Sequence, residues 1–263
     1  MRNYIARAAA FIAAVSLCSC GAGDMGEKGD NEVSVTPVAA ALSAEPHGYG
    51  QGVIVDERNR PVGALDFNEK YGSLGAYAIG EDEDRITLTF DQGYENGYTD
   101  DILDTLKEKN VSATFFIVQD YAERNPELVQ RMIDEGHTVA NHSVHHYSMP
   151  TLDEGSMKEE IMGFHEYMQE NFGADMTLFR PPMGEFSERS LKAAQDCGYT
   201  TVMWSFAYAD WDVNDQPDPA WALDKLTKAA HPGAVYLLHS VSATNAEILG
   251  ELIDALRAEG YAV

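Results

Sequence analysis

Side chains suited to acid–base or metal chemistry stand directly behind short apolar runs in this chain. Asp91 follows "RITLTF", Asn141 and His142 follow "HTVA", Arg180 follows "MTLF", Ser205 follows "TTVMW" and His239 follows "AVYLL". A buried core has no use for such groups, so their repeated place after apolar runs points to one shared site. In "NHSVHH" the spacing of His142 and His146 is i, i+4. On a helical turn it would bring both imidazoles to one face, able to hold a divalent cation together. Taken alone, that pair is a weak signal and reads first as a solvated polar loop with incidental histidines; its place after a strand, with a strand-end aspartate, makes the ligand reading much stronger. His145 is expected to point the other way and is given no role.

Positioning these groups at one rim requires parallel strands. The apolar runs fall at 86–90, 113–118, 138–140, 176–179, 200–204 and 234–238. Segments of helical period lie between most of them. "DDILDTLKEKN" aligns Ile102, Leu103 and Leu106, and "NPELVQRMIDEGH" begins at Pro126 and stops at Gly136. "SERSLKAAQDCGY" and "TNAEILGELIDALRAEGY" follow the same rule. Strand–helix alternation over this length predicts an α/β fold, a (β/α) barrel first and an open doubly wound sheet second. In a barrel every strand-end residue named above gathers at the carboxyl face, where active sites sit.

The remaining sequence bounds compartment and partners. With 43 acidic against 18 basic residues the formal charge is −25, and no Lys/Arg cluster is present to grip phosphates, which argues against nucleic acid. Residues 1–20, "MRNYIARAAAFIAAVSLCSC", have a basic start, an apolar stretch and a small-residue end, the pattern of an export signal. "LCSC" resembles the bacterial lipoprotein signal, in which Cys20 would be lipidated; ordinary secretory cleavage is the alternative. The expectation is a monomer on the outer face of the cell membrane, touching the membrane only through that lipid, or else secreted. Residues 21–47 read as a flexible tether and 48–84 as an N-terminal extension or cap on the domain at 85–263. Cys197 is left as a lone thiol, expected to be packed rather than reactive.

"TFDQG", "HSVHH", "RPPMG", "ADW" and "LLHS" stand in the order and spacing of the five motifs of polysaccharide deacetylases, carbohydrate esterase family four. This sequence resembles that family over residues 85–263. "YENGYT", "RPPMGEFSE" and "HPGAVYLLHSVSATNAE" are similar to its delta-lactam-biosynthetic de-N-acetylases, which remove acetyl from peptidoglycan N-acetylmuramic acid. The resemblance implies a distorted (β/α) barrel, a glycan strand as partner, and a divalent ion, zinc first, with manganese, magnesium or cobalt as alternatives. It implies Asp91 as base, Arg180 orienting it, His142 and His146 on the metal, His239 as acid and Asp210 as its carboxylate partner. It also implies Trp211 beside the acetyl group and a backbone N–H near Met183 for the oxyanion. Tyr94, Tyr98 and Tyr208 are candidates for sugar stacking, with plain packing as the alternative for each.

The resemblance has three departures. Most of the family has a second aspartate where this chain has Gln92, so an amide is the candidate third ligand and weaker metal binding is expected. Met183 replaces a larger group, and the sequence ends at "GYAV" as a last strand begins. Two other readings follow: a deacetylase of N-acetylglucosamine polymers or acetylated xylan, and a glycan-binding protein whose metal site Gln92 has weakened.

Overall fold

The computed structural model describes residues 42–263 apart from Glu83, so the leader and Cys20 lie outside the described residues, as do residues 21–41. In chain order the elements are β1 (His47–Gly48), α1 (Val62–Tyr71), β2 (Ala76–Tyr77), β3 (Thr87–Gln92), α2 (Thr99–Lys109), β4 (Thr114–Ile117), α3 (Gln119–Arg124), α4 (Pro126–Asp134), β5 (Thr138–Asn141), α5 (Glu154–Phe172), β6 (Leu178–Phe179), β7 (Glu185–Phe186), α6 (Glu188–Asp196), β8 (Thr200–Val202), β9 (Phe206–Ala207), α7 (Pro219–Lys228), β10 (Val235–His239) and α8 (Ala243–Ala258).

Eight strands form one parallel sheet in the order β2-β8-β6-β5-β4-β3-β10-β9. From β3 to β8 the parallel strands follow one another in sequence order, with no reversal of winding. A doubly wound sheet needs that reversal, so the sheet curls as a distorted (β/α) half-barrel instead. All six apolar runs become strands. Leu88 and Phe90 face outward with Ile102, Leu103 and Leu106 of α2 and Leu249, Leu252 and Leu256 of α8 in the main core. The opposite face carries the smaller Phe116, Ala140, Val202 and Val235 cluster. This alternation follows from the two-residue period of a strand.

Local chemistry fixes the helix ends. Pro126 opens α4, where its missing N–H is no loss. Ser187 and Ser190 cap α6 reciprocally, and Asn110 turns α2 off in the left-handed region at φ 52°.

The segment read as an extension does more than cap. Its β2 pairs with β8 as an edge strand, and Phe67 and Tyr71 of α1 pack on Phe186 in a second apolar cluster with Trp204. Docking begins inside the stretch read as tether: the Ser43 N–H donates to Glu188, and His47 pairs with Phe186. At the other end Ala262 pairs with Arg85, and its carbonyl accepts from the Ile86 N–H at 2.9 Å, beside the start of β3. Cys197 is half-buried against the core, and burial pushes its thiol pKa up.

Candidate active site

Strand register brings the predicted groups to one rim. His239 is the paired neighbour of Asp91 on adjacent strands, while Gln92, Ile117, Asn141 and Phe179 are successive partners across β3 to β6. His142 and Arg180 are therefore the first residues beyond that line. A cleft of about 650 Å³ opens there, lined by Asp91, Tyr94, His142, His145, His146, Tyr147, Trp211 and His239 among others.

Arg180 is wholly buried and lies 4.0 Å above the Phe116 ring. Its guanidinium donates to Val202 O, Met203 O, Thr89 Oγ1 and, at 2.6 Å, to Asp91 Oδ1. A fork held at four points cannot swing, so it fixes the carboxylate and leaves Asp91 Oδ2 toward the cleft. Burial alone would raise the Asp91 pKa; the charge of Arg180, with His142 and His239, outweighs it and holds the carboxyl below its ordinary range. Asp91 is ionised at neutral pH.

The two histidines meet, though by a different route from the helical turn expected. Residues 142–148 form a loop, with Ser143 at φ 75° and His146 at φ 60°. These two left-handed residues fold the loop back so that His142 Nε2 and His146 Nε2 lie 3.2 Å apart. The Arg180 carbonyl can only accept, so His142 Nδ1, 2.7 Å away, carries the proton and its Nε2 keeps a lone pair in the cleft. Burial lowers the His142 pKa to about 4 and that of His146 as well. Neutral imidazoles are what a divalent ion requires, and His142 also has its tautomer fixed. Two nitrogens bound at about 2.05 Å to a tetrahedral zinc stand roughly 3.3 Å apart, which these donors fit. Asp91 Oδ2 is 3.7 Å from His142 Nε2. Among the described residues no three His, Cys, Asp or Glu side chains stand together as a metal-ligand group, which leaves His142 and His146 as two candidate donors.

Gln92 does not join them. The alternation that aims Asp91 into the barrel aims its neighbour outward, where Gln92 Nε2 donates to Thr99 Oγ1 at 3.0 Å and Tyr121 OH at 3.3 Å. Both hydroxyls spend their protons on Glu95, so they can only accept from residue 92. Among the described residues Gln92 Oε1 has no hydrogen-bond partner, and Gln92 is not a lining residue of the cleft.

His239 Nδ1 and its backbone N–H both reach the fully buried Asp210, each at 2.8 Å. Burial works against a charge on His239, but the hydrogen bond and charge of Asp210, with Asp91 behind, raise its pKa above the ordinary value. Asp91 and His239 thus sit on neighbouring strands with pKa values pushed in opposite directions, an arrangement that can serve acid–base chemistry. Trp211 is exposed at the cleft wall, as is Tyr94. Met183 is exposed at φ 59° on the turn after Arg180 and is not part of the lining. Tyr98 packs on the core at the start of α2, and Tyr208 packs on it too while donating to Asn245.

Sequence reasoning missed two supports. Asn245 Nδ2 donates to Asp210 at 2.6 Å from the first turn of α8. Glu160 of α5, also buried, accepts from the His145 backbone N–H and ring Nδ1 and so pins the histidine loop. A glutamate amid the apolar positions Met157, Ile161, Phe164 and Met168 was the available signal.

Comparison with known proteins bears on the family and the fold. The polysaccharide deacetylase family matches residues 79–202. The peptidoglycan-N-acetylmuramic acid deacetylase PdaA of Bacillus subtilis is 40% identical over 85% of this chain and 85% of its own length. The PdaA structure, described as a family 4 carbohydrate esterase, superposes with a TM-score of 0.79, covering 84% of this chain and 95% of that one. A peptidoglycan-N-acetylglucosamine deacetylase of Bacillus cereus is 32% identical over 72% of this chain and 68% of its length.

Proposed function

We infer that this chain, which belongs to the polysaccharide deacetylase family, hydrolyses the acetamide of N-acetylmuramic acid in peptidoglycan. The observation that carries the reading is Asp91 beside His239 on adjacent strands at the rim of the barrel, with Arg180 on one carboxylate oxygen and Asp210 on the imidazole. Asp91 Oδ2 is the base that takes a proton from the attacking water, while Arg180 holds Oδ1. His239, kept protonated by Asp210, delivers a proton to the departing amine. His142 and His146 would hold a divalent ion, zinc first among the candidates, which would supply Lewis acidity at the acetyl carbonyl and to water, towards a pKa of about 7 with zinc. Trp211 and Tyr94 bound the acetyl and sugar pocket. Cys20 carries the lipid that keeps a monomeric enzyme at the outer face of the membrane, next to its glycan.

The test is acetate release from muramic-acid glycan by the wild type and by Asp91→Asn and His239→Ala. Each variant should lose at least ~100-fold in kcat, and a variant with unchanged release removes the residue from its role. Mass spectrometry of the digested glycan decides which sugar lost its acetyl. N-acetylglucosamine is the other outcome, given the Bacillus cereus relative.

A further inference from the structure

The described residues have four large exposed aromatic side chains, Tyr94, Tyr147, Trp211 and Trp221, and the first three line the catalytic cleft. Of these three, Tyr147 has no part in the proposed hydrolysis. Its ring lies flat on the His145 ring, centroids 5.1 Å apart and planes 16° from parallel. His145 is anchored in turn: Glu160 accepts from its Nδ1 at 2.6 Å with one oxygen and from its backbone N–H at 2.8 Å with the other. The Glu160 backbone carbonyl accepts from the Val144 N–H at 3.1 Å. Glu160 is buried, while the His145 side chain is 59% and the Tyr147 residue 52% exposed. A buried carboxylate thus braces an imidazole, and the imidazole braces a phenol ring that faces solvent at the cleft wall.

A large ring left exposed and stacked on an anchored neighbour is useful where something flat and amphipathic must land. A pyranose ring is such a group: one face presents C–H bonds to an aromatic surface while its hydroxyls stay in water. We propose that the Tyr147–His145 stack is a glycan subsite that receives the aminosugar ring next to the one being deacetylated, so that the enzyme prefers polymer to a single sugar. This rests on the glycan-hydrolase reading above. A ring already stacked on a pinned neighbour loses little rotamer freedom on binding, which favours affinity.

The experiment is steady-state kinetics on soluble muramic-acid glycan strands with the metal-loaded full chain and its Tyr147→Ala and Tyr147→Phe variants. Tyr147→Ala should raise KM about tenfold, or ~1.4 kcal/mol, with kcat changed less than about twofold; Tyr147→Phe keeps the flat face and should restore KM. If Tyr147 merely props the histidine loop, the alanine variant would instead lower kcat at constant KM, and that result overturns the subsite. Unchanged KM in the alanine variant overturns it as well. Wild type that releases no acetate from any glycan refutes the hydrolase reading itself, a result readily told apart from these.

Discussion

Replacing Arg180 with methionine tests whether a buried ion pair aims the base. The methionine fills much of the same space but leaves Asp91 charged, nearly buried and without its 2.6 Å partner, and it leaves the carbonyls of Val202 and Met203 without the guanidinium donors. Removing one partner of a buried pair costs ~3–5 kcal/mol, which for a domain of this size is a fall in Tm of roughly 6–20 °C. The pH dependence identifies the cause. In the wild type the Asp91 pKa is depressed, so the pair contributes stability that is present above the unfolded carboxylate value of about 3.9 and lost as pH falls through the lower folded value. Without Arg180 burial dominates and the pKa rises. The deficit is then largest where Asp91 must be charged and shrinks on mild acidification, when the carboxyl can protonate. His142, lowered to about 4, weakens both proteins in the same acid range, so the quantity to follow is the difference between them. Thermal unfolding at about pH 7.5 and about pH 5 measures it, and acetate release should fall with the deficit because a protonated Asp91 cannot act as base. An equal deficit at both pH values, or full activity in the variant, refutes the reasoning; Arg180→Lys, which keeps the charge and loses the fork, is the companion if the methionine variant does not fold.

Asp210→Asn removes the charge that holds the His239 pKa up, so the alkaline limb of kcat/KM should move to lower pH while the acid limb, governed by Asp91, stays; a pH–rate profile checks this. Chelation should abolish acetate release and zinc or manganese should restore it, with His142→Ala and His146→Ala both losing the cation response in a direct metal-binding titration. Gln92→Asp should not create a better enzyme: it would set a carboxylate against two hydroxyls already committed to Glu95, costing at least ~1–3 kcal/mol in thermal stability, and Glu95→Gln in the same chain should recover part of it.

What could be read in advance divides along a physical line. Strand ends were legible because an apolar run long enough to be buried must stop, and the residue behind it must face the rim; hence Asp91, His142, Arg180 and His239 were all found from one-dimensional spacing. The edge strands β2 and β9 were not, since two residues carry no period and Ala76–Tyr77 and Phe206–Ala207 become strands only by pairing with β8 and β10. The helix α5 was missed although Met157, Ile161, Phe164 and Met168 have helical spacing, because glycines at 155 and 163 and the charged Glu160 interrupt it. Gly163 answers to tertiary contact, as a Cβ there would stand 3.3 Å from Val144 of the histidine loop.

The histidine pair and Gln92 show the limit more sharply. Spacing of i, i+4 correctly joined His142 to His146, yet the contact is made by two left-handed residues and a backbone carbonyl that no helical wheel contains. For Gln92 the sequence offered adjacency to the base, and adjacency is the wrong guide in a strand, where neighbours face opposite ways. Its partners Thr99 and Tyr121 lie on separate helices, α2 and α3, and both donate to Glu95, and only their combined count of protons shows why an amide, able to donate, occupies the place. A carboxylate ligand at this position would therefore require the outer network to change with it, so residues 92, 95, 99 and 121 form one chemical unit rather than four separate choices.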